Sequence, residues 1–352
     1  MRTHAAMYSY CLVLLCCLVV CSADISCKNE VGEPVDWFVI YKLPRRKIGE
    51  VGTGVDYMYL DSNMESWLMS EFMVNTSQGA IGRTLSQLYS GHAYKSNSSV
   101  YAMYNDAPPI SNFSLKCGHT KGMMLFDRSQ GFWLSHTIPH FPSFPEKGYI
   151  YPDSGKANGQ TALCVTYRYE QFIHIVKQLA YTKPRFFNCS VPSAFLPDFT
   201  QLSQLCEDIE LPIDTDRRVE QLVSAKGEKF VSFAKSSLFV DDIYTGWVAQ
   251  RLAVDLLVET WQREKHALPS NCSLPQHTMN ISRIRLPGST RFLSRHDHSK
   301  WCVSQDHEAQ LTCLGDLNRE KAQMKRGGGL ICSRHPVIYK AFRQLVDQYI
   351  SC

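Results

Sequence analysis

The stretch His119-Thr120-Lys121, followed by an apolar run that ends at Asp127, has a second copy in His298-Ser299-Lys300, followed by a mixed run that ends at Asp306. Both copies fit the pattern H-[ST]-K-x5-D. In extended backbone, residues i and i+2 point to the same face, so each copy places an imidazole beside an ammonium group. A phosphate group suits both side chains. One such triplet would carry little weight, but a repeat with equal spacing indicates an internal duplication.

The first 23 residues have the pattern of a secretory signal peptide. Arg2 and His4 give a weakly basic start, Tyr10 to Val20 is an apolar run too short to span a bilayer, and Cys21-Ser22-Ala23 offers small residues for cleavage. An uncleaved signal anchor is disfavoured because no stop-transfer flank follows. We expect cleavage before Asp24, and no stable membrane insertion, since no later segment is apolar for long enough to span a membrane.

The cysteines and sequons indicate an oxidising, glycosylating compartment. Ten cysteines follow residue 23, and no C-x-x-C pair occurs among them, which favours structural disulfides over a zinc site. Spacing alone does not determine the pairing. We expect no metal and no cofactor. N-x-[ST] acceptors, which predict a glycoprotein, occur at Asn75, Asn97, Asn112, Asn188, Asn271 and Asn280.

The charge of the chain is a weak guide to its partner. The formal net charge of +4 is modest, but the chain has 12 histidines. Because the ordinary histidine pKa is near ~6.5, these side chains become cationic in an acidic compartment. Acid pH would therefore favour binding to a polyanion such as nucleic acid.

The periodicity of the chain predicts mixed α/β structure in two similar halves. Helical spacing is found at Gly79 to Tyr89 and Glu170 to Tyr181, and it predicts two further helices at Gly246 to His266 and Pro336 to Tyr349. The order helix, strand, H-x-K, strand, Asp, strand occurs twice. We therefore predict a duplicated α/β unit, with an N-terminal half at 24–199 and a C-terminal half at 200–352. Pairing about a pseudo-two-fold axis would bring the two triplets together.

Two imidazoles and two ammonium groups can break a phosphodiester bond. The reaction needs a nucleophile, a proton for the leaving oxygen and positive charge around the phosphoryl group. A neutral imidazole can attack phosphorus while an imidazolium on the other side protonates the leaving group. The lysines can hold the non-bridging oxygens, so no metal is needed. The need for one charged imidazole favours acid pH.

Five stretches of the chain resemble the deoxyribonuclease II family. They are Val35-Asp36-Trp37-Phe38, Gly118-His119-Thr120-Lys121-Gly122, Gly131-Phe132-Trp133-Leu134 with His136, Asp297-His298-Ser299-Lys300-Trp301-Cys302, and Gly315-Asp316-Leu317-Asn318-Arg319. The similarity covers essentially the whole mature chain. The segment from Leu268 to Pro275 resembles the beta-like, lens-associated branch rather than the alpha branch.

The resemblance implies a fold, an activity and a location. The fold is a phospholipase D-like pseudodimer of two mixed α/β halves. The activity is that of an acid endonuclease on double-stranded DNA, independent of divalent cations and leaving 3′-phosphate ends. The location is the lysosome, with secretion as a second destination, and the resemblance also allows a homodimer.

The resemblance also assigns residues. It implies two catalytic pairs, His119 with Lys121 and His298 with Lys300, and matches His136 to a further histidine needed for activity. It implies the bridges Cys27–Cys164, Cys272–Cys352 and Cys313–Cys332, to which nearness in sequence adds Cys189–Cys206. Asp127, Asp306 and Asn318 fit the broader phospholipase D pattern only in part, and are either supporting groups or turn and capping residues.

Two other functions compete with the nuclease. A lumenal lipid phosphodiesterase of the phospholipase D type would use the same chemistry, with an apolar rim in place of an Arg- and Lys-lined groove. A lumenal binding glycoprotein with a decayed site would lack the chemistry, although both triplets are intact. His296-Asp297-His298 resembles a metal pair, but no third ligand is evident in the sequence.

Overall fold

The computed structural model describes residues 24–45, 52–90, 93–111, 113–262, 267–288 and 290–352. The predicted signal peptide and the sequon at Asn112 lie outside these ranges.

In these ranges the chain forms five α-helices and nineteen strands. The helices are α1 Gly79–Tyr89, α2 Tyr169–Thr182, α3 Leu196–Cys206, α4 Ala249–Leu252 and α5 Pro336–Arg343. The strands are β1 Cys27–Lys28, β2 Pro34–Val35, β3 Trp37–Lys42, β4 Tyr57–Asp61, β5 Leu68–Met69, β6 Val100–Asn105, β7 Lys121–Phe126, β8 Gln130–His136, β9 Gln160–Arg168, β10 Phe186–Ser190, β11 Arg217–Val223, β12 Lys229–Lys235, β13 Leu256–Glu259, β14 Thr278–Arg285, β15 Arg291–Leu293, β16 Trp301–Ser304, β17 Thr312–Gly315, β18 Gly328–Ser333 and β19 Val346–Ile350.

Two large sheets contain all of these strands except β1 and β2, which pair with each other. The first has eight strands in the order β10-β6-β7-β8-β9-β3-β4-β5, and neighbouring strands are antiparallel. The second has nine strands, in the order β11-β12-β18-β17-β16-β13-β14-β15 with β19 beside β14, and only β13 and β14 run parallel within it. Each H-x-K triplet leads into an inner strand: Lys121 is the first residue of β7 in the first sheet, and Lys300 directly precedes β16 in the second.

Alternating side chains of the strands divide the core into layers. On β3, Val39 and Tyr41 face a cluster shared with the second sheet, whereas Phe38 and Ile40 face a separate cluster that includes α1. This period of two is the geometry of a strand buried on both faces. The shared cluster also takes in buried residues of α2, α3 and α5, so the two sheets are joined through one apolar core.

Helix α2 illustrates how the sequence forms this layer. Phe172, Ile175, Val176 and Leu179 recur at helical spacing and are all buried. The helix ends at Lys183, which adopts a left-handed conformation with φ of 50° and donates its backbone N–H to the carbonyl of Leu179. The chain can then turn directly into β10.

The predicted helix at Gly246 to His266 is helical only as far as Leu252, and the prediction is wrong over the rest of its described part. Ile243–Val248 forms a π-helical segment, α4 follows for four residues, and Leu256–Glu259 is strand β13. Ala253 adopts a left-handed conformation with φ of 53°, which ends the helix. A short apolar run such as Leu256-Leu257-Val258 has no periodicity that separates a buried strand from a helix.

The predicted closing helix at Pro336 to Tyr349 is too long. Helix α5 ends at Arg343, and Val346–Ile350 forms strand β19, which pairs with β14. The partner strand lies more than 60 residues earlier, so a local pattern does not reveal it. The predicted boundary between halves, at 199 and 200, falls inside α3, and the two-half division stays a prediction.

The structure contains the four expected cysteine pairs: Cys27–Cys164, Cys189–Cys206, Cys272–Cys352 and Cys313–Cys332. The first two pairs join residues before 207 and the last two join residues after 271. Among the described residues, Cys117 and Cys302 are free.

Exposure of the sequons differs along the chain. Asn75 and Asn97 are exposed, and Asn188 and Asn271 are half-buried. Asn280 is 4% exposed on β14, where its amide donates to the carbonyl of Leu268 and accepts from Arg319. The prediction of a surface glycosylation site is therefore wrong at Asn280. Within the described ranges, no helix combines the length and apolar character required to cross a membrane.

The shared core provides the first prediction. The Phe126 ring on β7 stacks on Phe172 of α2 with ring centroids 4.1 Å apart, and both rings are buried. Phe126→Ala should lower the free energy of unfolding by about 3–5 kcal/mol because it leaves a cavity between β7 and α2. Denaturant unfolding with the disulfides intact measures the change. Leu68→Ala, at a side chain that is 60% exposed, is the control, and equal losses in both variants would contradict this account of the core.

Candidate active site

His119 is held by the opposite half of the chain. Its backbone N–H donates to the carbonyl of Gly327 at 2.8 Å, and its Nδ1 lies 2.8 Å from Oε1 of Gln323. The preceding Gly118 allows this close approach, since a Cβ there would lie 1.8 Å from the carbonyl oxygen of Thr182. The residues around 323–327 of the second half thus fix the first imidazole.

His298 is held in the reciprocal way by the first half. Its backbone N–H donates to the carbonyl of Gly159 at 2.9 Å. Its Nδ1 lies 3.0 Å from the carbonyl oxygen of Thr137 and 3.2 Å from Oε1 of Gln160. A Cβ at Gly159 would lie 2.4 Å from a carboxylate oxygen of Asp297, so this crossing also requires glycine.

The two imidazoles share one cavity. Their ring centroids lie 6.5 Å apart, with the ring planes at 84°. The cavity has a volume of about 380 Å³. Its lining residues are Asp106, Ala107, Phe113, Leu115, His119, Lys121, Pro139, Trp261, His298, Asn318, Glu320, Ala322, Gln323 and Arg326. The structure therefore brings together two triplets that are 179 positions apart in the chain.

The lysines of the two triplets supply buried positive charge. Lys121 forms an ion pair with Asp106 at the cavity wall, and Lys300 donates to the carbonyl of His298. Burial and then the neighbouring Lys121 lower the pKa of Lys300 to about 7. Lys300 is therefore fully charged only in acid.

Both imidazoles are kept neutral by their surroundings. Burial, followed by Lys121, Lys300 and Arg326, lowers the pKa of His119 well below its ordinary value. Burial, followed by Lys300 and Lys121, does the same to the pKa of His298. A bound anion would raise both pKa values by offsetting this positive charge.

Asp106 and Arg326 belong to the site although the sequence analysis does not single them out. One oxygen of Asp106 contacts Lys121, and the other lies 3.2 Å from Arg326 and 3.8 Å from Nε2 of His119. Arg326 also donates to the carbonyls of Ser114 and Cys117. In the sequence, Asn105 to Pro109 has the pattern of an ordinary turn. Nothing in this pattern therefore marks Asp106 as a residue of the site.

The segment from Gly315 to Arg319 contributes one residue, Asn318, to the lining of the cavity. Burial raises the pKa of Asp316 to about 7, against the opposing effect of Lys121. Asn318 lines the cavity and accepts from the backbone N–H of Trp261 at 3.2 Å. Arg319 is 2% exposed and binds Asp242 at 2.9 Å, which anchors the segment.

Asp297 couples the second triplet to β3 of the first sheet. Its carboxylate accepts from the hydroxyls of Tyr41 and Ser299 and from the backbone N–H of Ser299. Asp297 is thus committed to structural hydrogen bonds. In the described ranges, no group of three or more His, Cys, Asp or Glu side chains could hold a metal ion, including His296-Asp297-His298.

His136 lies behind the cavity rather than in it. It is 3% exposed on β8, its Nδ1 accepts from the backbone N–H of Ile138 at 3.1 Å, and its ring packs edge-on against Phe141. Burial and then Lys121 lower the pKa of His136 to about 3. It is therefore a neutral neighbour of the first triplet, and its requirement for activity stays a prediction.

Asp127 and Asp306 are turn residues. Asp127 accepts from the backbone N–H groups of Ser129 and Gln130, and Asp306 accepts from that of Glu308. Asp127 directly follows β7 and comes six residues after Lys121. Six residues of extended backbone span about 20 Å. Neither aspartate lines the cavity, so the structure gives no support to a supporting role for either.

Comparison with known proteins shows the family of the chain. The family model described as Deoxyribonuclease II matches residues 26–352. The chain belongs to the deoxyribonuclease II family. It is 50% identical over 331 residues to deoxyribonuclease-2-beta of Rattus norvegicus, covering 93% of each chain. It is 48% identical to deoxyribonuclease-2-beta of Homo sapiens, covering 95% of this chain and 93% of the relative.

The family's alpha forms are more distant from this chain. Identity to deoxyribonuclease-2-alpha of Sus scrofa is 38% over 349 residues, covering 97% of this chain and 94% of the relative. The predicted relationship to the beta branch is therefore confirmed.

The charge of the cavity provides a binding prediction. Inorganic phosphate should bind between the two lysines, and more tightly below pH 7 because Lys300 is then protonated and Asp316 is neutral. Lys300→Ala should weaken binding at pH 5 by about tenfold or more, measured by titration calorimetry. Lys229→Ala, at an exposed position on β12, is the control. Equal binding by the wild type and Lys300→Ala would contradict the assignment.

Proposed function

We propose that the chain is an acid endodeoxyribonuclease that hydrolyses phosphodiester bonds of double-stranded DNA without a metal and through a phosphohistidine. The products carry 3′-phosphate and 5′-hydroxyl ends. The observation that carries the proposal is the pair of imidazoles 6.5 Å apart at one cavity, each beside a lysine. Membership of the deoxyribonuclease II family and the deoxyribonuclease names of the relatives support the substrate.

The hydrogen bonds of the two rings favour one tautomer. A backbone carbonyl only accepts, so Nδ1 of His298 must donate to Thr137. Oε1 of Gln323 accepts the backbone N–H of Asn318 at 2.7 Å, so it also acts as acceptor for Nδ1 of His119. Each neutral ring therefore keeps its lone pair on Nε2, the nitrogen that a nucleophile or base uses.

The reaction takes two displacements at phosphorus. In the first, Nε2 of one neutral histidine bonds to phosphorus, the bond from phosphorus to O5′ breaks, and the other histidine, as imidazolium, gives its proton to O5′. In the second, water attacks phosphorus, the now neutral partner takes the water proton, and the bond from phosphorus to Nε2 breaks. The released strand keeps the 3′-phosphate, and both rings return to their starting forms.

Lys121, Lys300 and Arg326 supply the charge for this reaction. Lys121 and Arg326 line the cavity, and Lys300 is buried beside His298, where it donates to the carbonyl of that residue. Low dielectric there strengthens the attraction of these groups to the phosphoryl oxygens. A phosphodiester would also compete with Asp106 for Lys121 and Arg326. Electrostatic stabilisation of the transition state therefore comes from side chains.

The geometry also supports the phospholipase D-like pseudodimer as the fold. Both triplets lead into an inner strand of a large sheet. The ring of His119 is bound by Gln323, which follows the second triplet, and the ring of His298 is bound by Gln160, which follows the first. The halves at 24–199 and 200–352 are the units of this proposal. The proposal also includes a lysosomal location after signal-peptide cleavage and a homodimer, both of which the family resemblance implies.

A lipid phosphodiesterase is the second candidate, because the mouth of the cavity is partly apolar. Phe113 and Leu115 line the cavity and are 52% and 68% exposed, and the nearby Ile110 is 73% exposed. Arg326 contacts the Phe113 ring at 5.0 Å, so the rim combines cationic and apolar groups. Family membership favours DNA over lipid.

The histidine pair provides the decisive mutational prediction. His119→Ala and His298→Ala should each lower plasmid cleavage at pH 5 in excess chelator by about 10³-fold or more, since each ring is needed in both displacements. His174→Ala, at a histidine outside the cavity, should keep full activity. Full activity in either cavity variant would overturn the mechanism.

The same assay separates the other candidates. Cleavage of phospholipid vesicles with intact plasmid would favour the lipid phosphodiesterase. Wild-type protein that binds DNA and cleaves neither substrate would favour a binding glycoprotein. Loss of cleavage on chelation would assign the chemistry to a metal.

Cleavage should fall as the pH rises from 5 to 8. The imidazolium needed as acid, which the bound phosphodiester stabilises, is lost. Lys300 loses its proton near pH 7, and Asp316 gains a negative charge near the same pH. All three changes remove positive charge from the site. Initial rates of plasmid nicking across this range measure the effect, and a rate that increases up to pH 8 would contradict it.

A further inference from the structure

The acceptors of the two Nδ1 atoms include glutamine side chains. Gln323 lies in the short 3-10 helix Lys321–Lys325 and contacts His119, and Gln160 begins β9 and contacts His298. Both glutamines are buried, at 8% and 1% exposure. Each comes from the half that does not carry its histidine.

The surroundings fix how each amide is oriented. The backbone N–H of Asn318 donates to Oε1 of Gln323 at 2.7 Å, and Nε2 of Gln323 donates to Glu320 at 3.2 Å. Thr137 donates its hydroxyl to Oε1 of Gln160 at 2.6 Å. Because Asn318 N–H is a donor only, the atom of Gln323 that faces it and His119 must be oxygen.

We propose that Gln160 and Gln323 are positioning residues of the reaction, which hold the two imidazoles in the Nδ1–H tautomer and accept that hydrogen bond without adding a negative charge. The inference rests on the proposed function for its kinetic consequences. A carboxylate in the same place would orient the ring equally well but would stabilise the imidazolium, as an opposite charge does. An amide leaves the ring neutral and nucleophilic at lower pH.

The other charged groups around the rings favour the same outcome. His119 faces Lys121, Lys300, Arg326 and His298. The carboxylates on this side are Asp106, whose oxygen is 3.8 Å from Nε2, and Glu320, which lines the same cavity. The cations and burial lower the pKa of His119.

The surroundings of His298 are similar. It faces Lys300, Lys121 and His119, which lower its pKa after burial, and the edge of Trp261 packs against its ring at a centroid distance of 4.8 Å. Asp297, its neighbour in sequence, is bound to Tyr41 and Ser299.

The neighbours of the glutamines determine the design of the test. Lys42 is the strand partner of Gln160 and donates its ammonium to the carbonyls of Lys156 and Asn158, so a new carboxylate at 160 would enter a region that already holds a second buried cation. The test therefore uses position 323. Glu320 already accepts from Gln323. Exchanging the two side chains, as Glu320→Gln with Gln323→Glu, moves a carboxylate onto His119 and conserves net charge. The amide introduced at position 320 can then donate to the carboxylate at position 323, which keeps the hydrogen bond with its direction reversed.

The exchanged variant should shift the pH dependence of plasmid cleavage. The limb of the pH–rate profile that reflects protonation of His119 should move to higher pH by about 1–3 units, because the new carboxylate stabilises the imidazolium. Glu320→Gln alone is the matched comparison: it removes a carboxylate from the cavity lining and adds none beside His119, so its limb should not move to higher pH. Gln130→Glu, a buried glutamine on β8 outside the cavity, is a second control.

Removing the acceptor should affect turnover rather than binding. Gln323→Met keeps the length of the side chain and should lower kcat by about tenfold or more with KM within about twofold, since the ring loses its preferred tautomer. Rescue by the exchanged variant at its shifted optimum would separate positioning from simple packing. An unshifted limb in the exchanged variant, or a full kcat in Gln323→Met, would overturn the inference.

A readout that does not need activity keeps the two proposals distinguishable. Nitrogen-15 spectra of histidine-labelled protein, assigned with His119→Ala, report the tautomer of His119 and its titration. Wild type should show protonated Nδ1, and the exchanged variant should titrate at higher pH. If DNA is not cleaved by the wild type, the proposed function fails while these spectra still decide the role of Gln323. Protonated Nε2 in the wild type would overturn the inference even if cleavage is normal.

Discussion

Hydrogen bonds between segments that lie far apart in the chain are the constraint on which the site depends. Both the backbone and the ring of His119 are bound by residues 323–327, and both the backbone and the ring of His298 are bound by residues 137–160. A histidine that lost these distant partners would keep neither its position nor its tautomer. The cavity is therefore a property of the assembled pair of sheets, and the large apolar core between them is what holds the reacting groups in register.

The same arrangement explains why so many charged groups can be buried together. Lys121, Lys300 and Arg326 repel one another, and Asp106 offsets part of this repulsion by contacting Lys121 and Arg326 at once. A buried cluster of this kind costs free energy that the apolar core must offset. Binding a phosphodiester supplies the missing negative charge, so the substrate relieves an electrostatic cost already present in the folded protein. Such a site favours an anion with two free oxygens over a neutral ligand.

The sequence reveals the reacting groups better than it reveals what holds them. The two H-x-K triplets are visible because their spacing repeats, and strands β7 and β16 follow them as the apolar runs indicate. Gln160 and Gln323 lack a local signal, because a buried glutamine in a strand or short helix has a meaning only through its distant partner. Asp127 and Asp306 repeat as regularly as the triplets, yet they are turn residues, so repetition alone does not separate chemistry from folding.

Long-range pairing accounts for the errors in the fold. The run from Gly246 to His266 has a helical pattern, but a left-handed residue at Ala253 and the pairing of β13 with β14 and β16 form a strand instead. The end of the chain likewise forms strand β19 because it pairs with β14. In both cases the partner strand contributes hydrogen bonds that a short window of sequence does not contain.

The distribution of the disulfides has a consequence for the integrity of the molecule. The four bridges of the described chain join residues before 207 or residues after 271, so the exposed connection between α3 and β11 is a covalent link that no bridge duplicates. A protease that cut this connection would leave two fragments associated only by packing and hydrogen bonds. The nicked enzyme would then lose activity on dilution, as a heterodimer does.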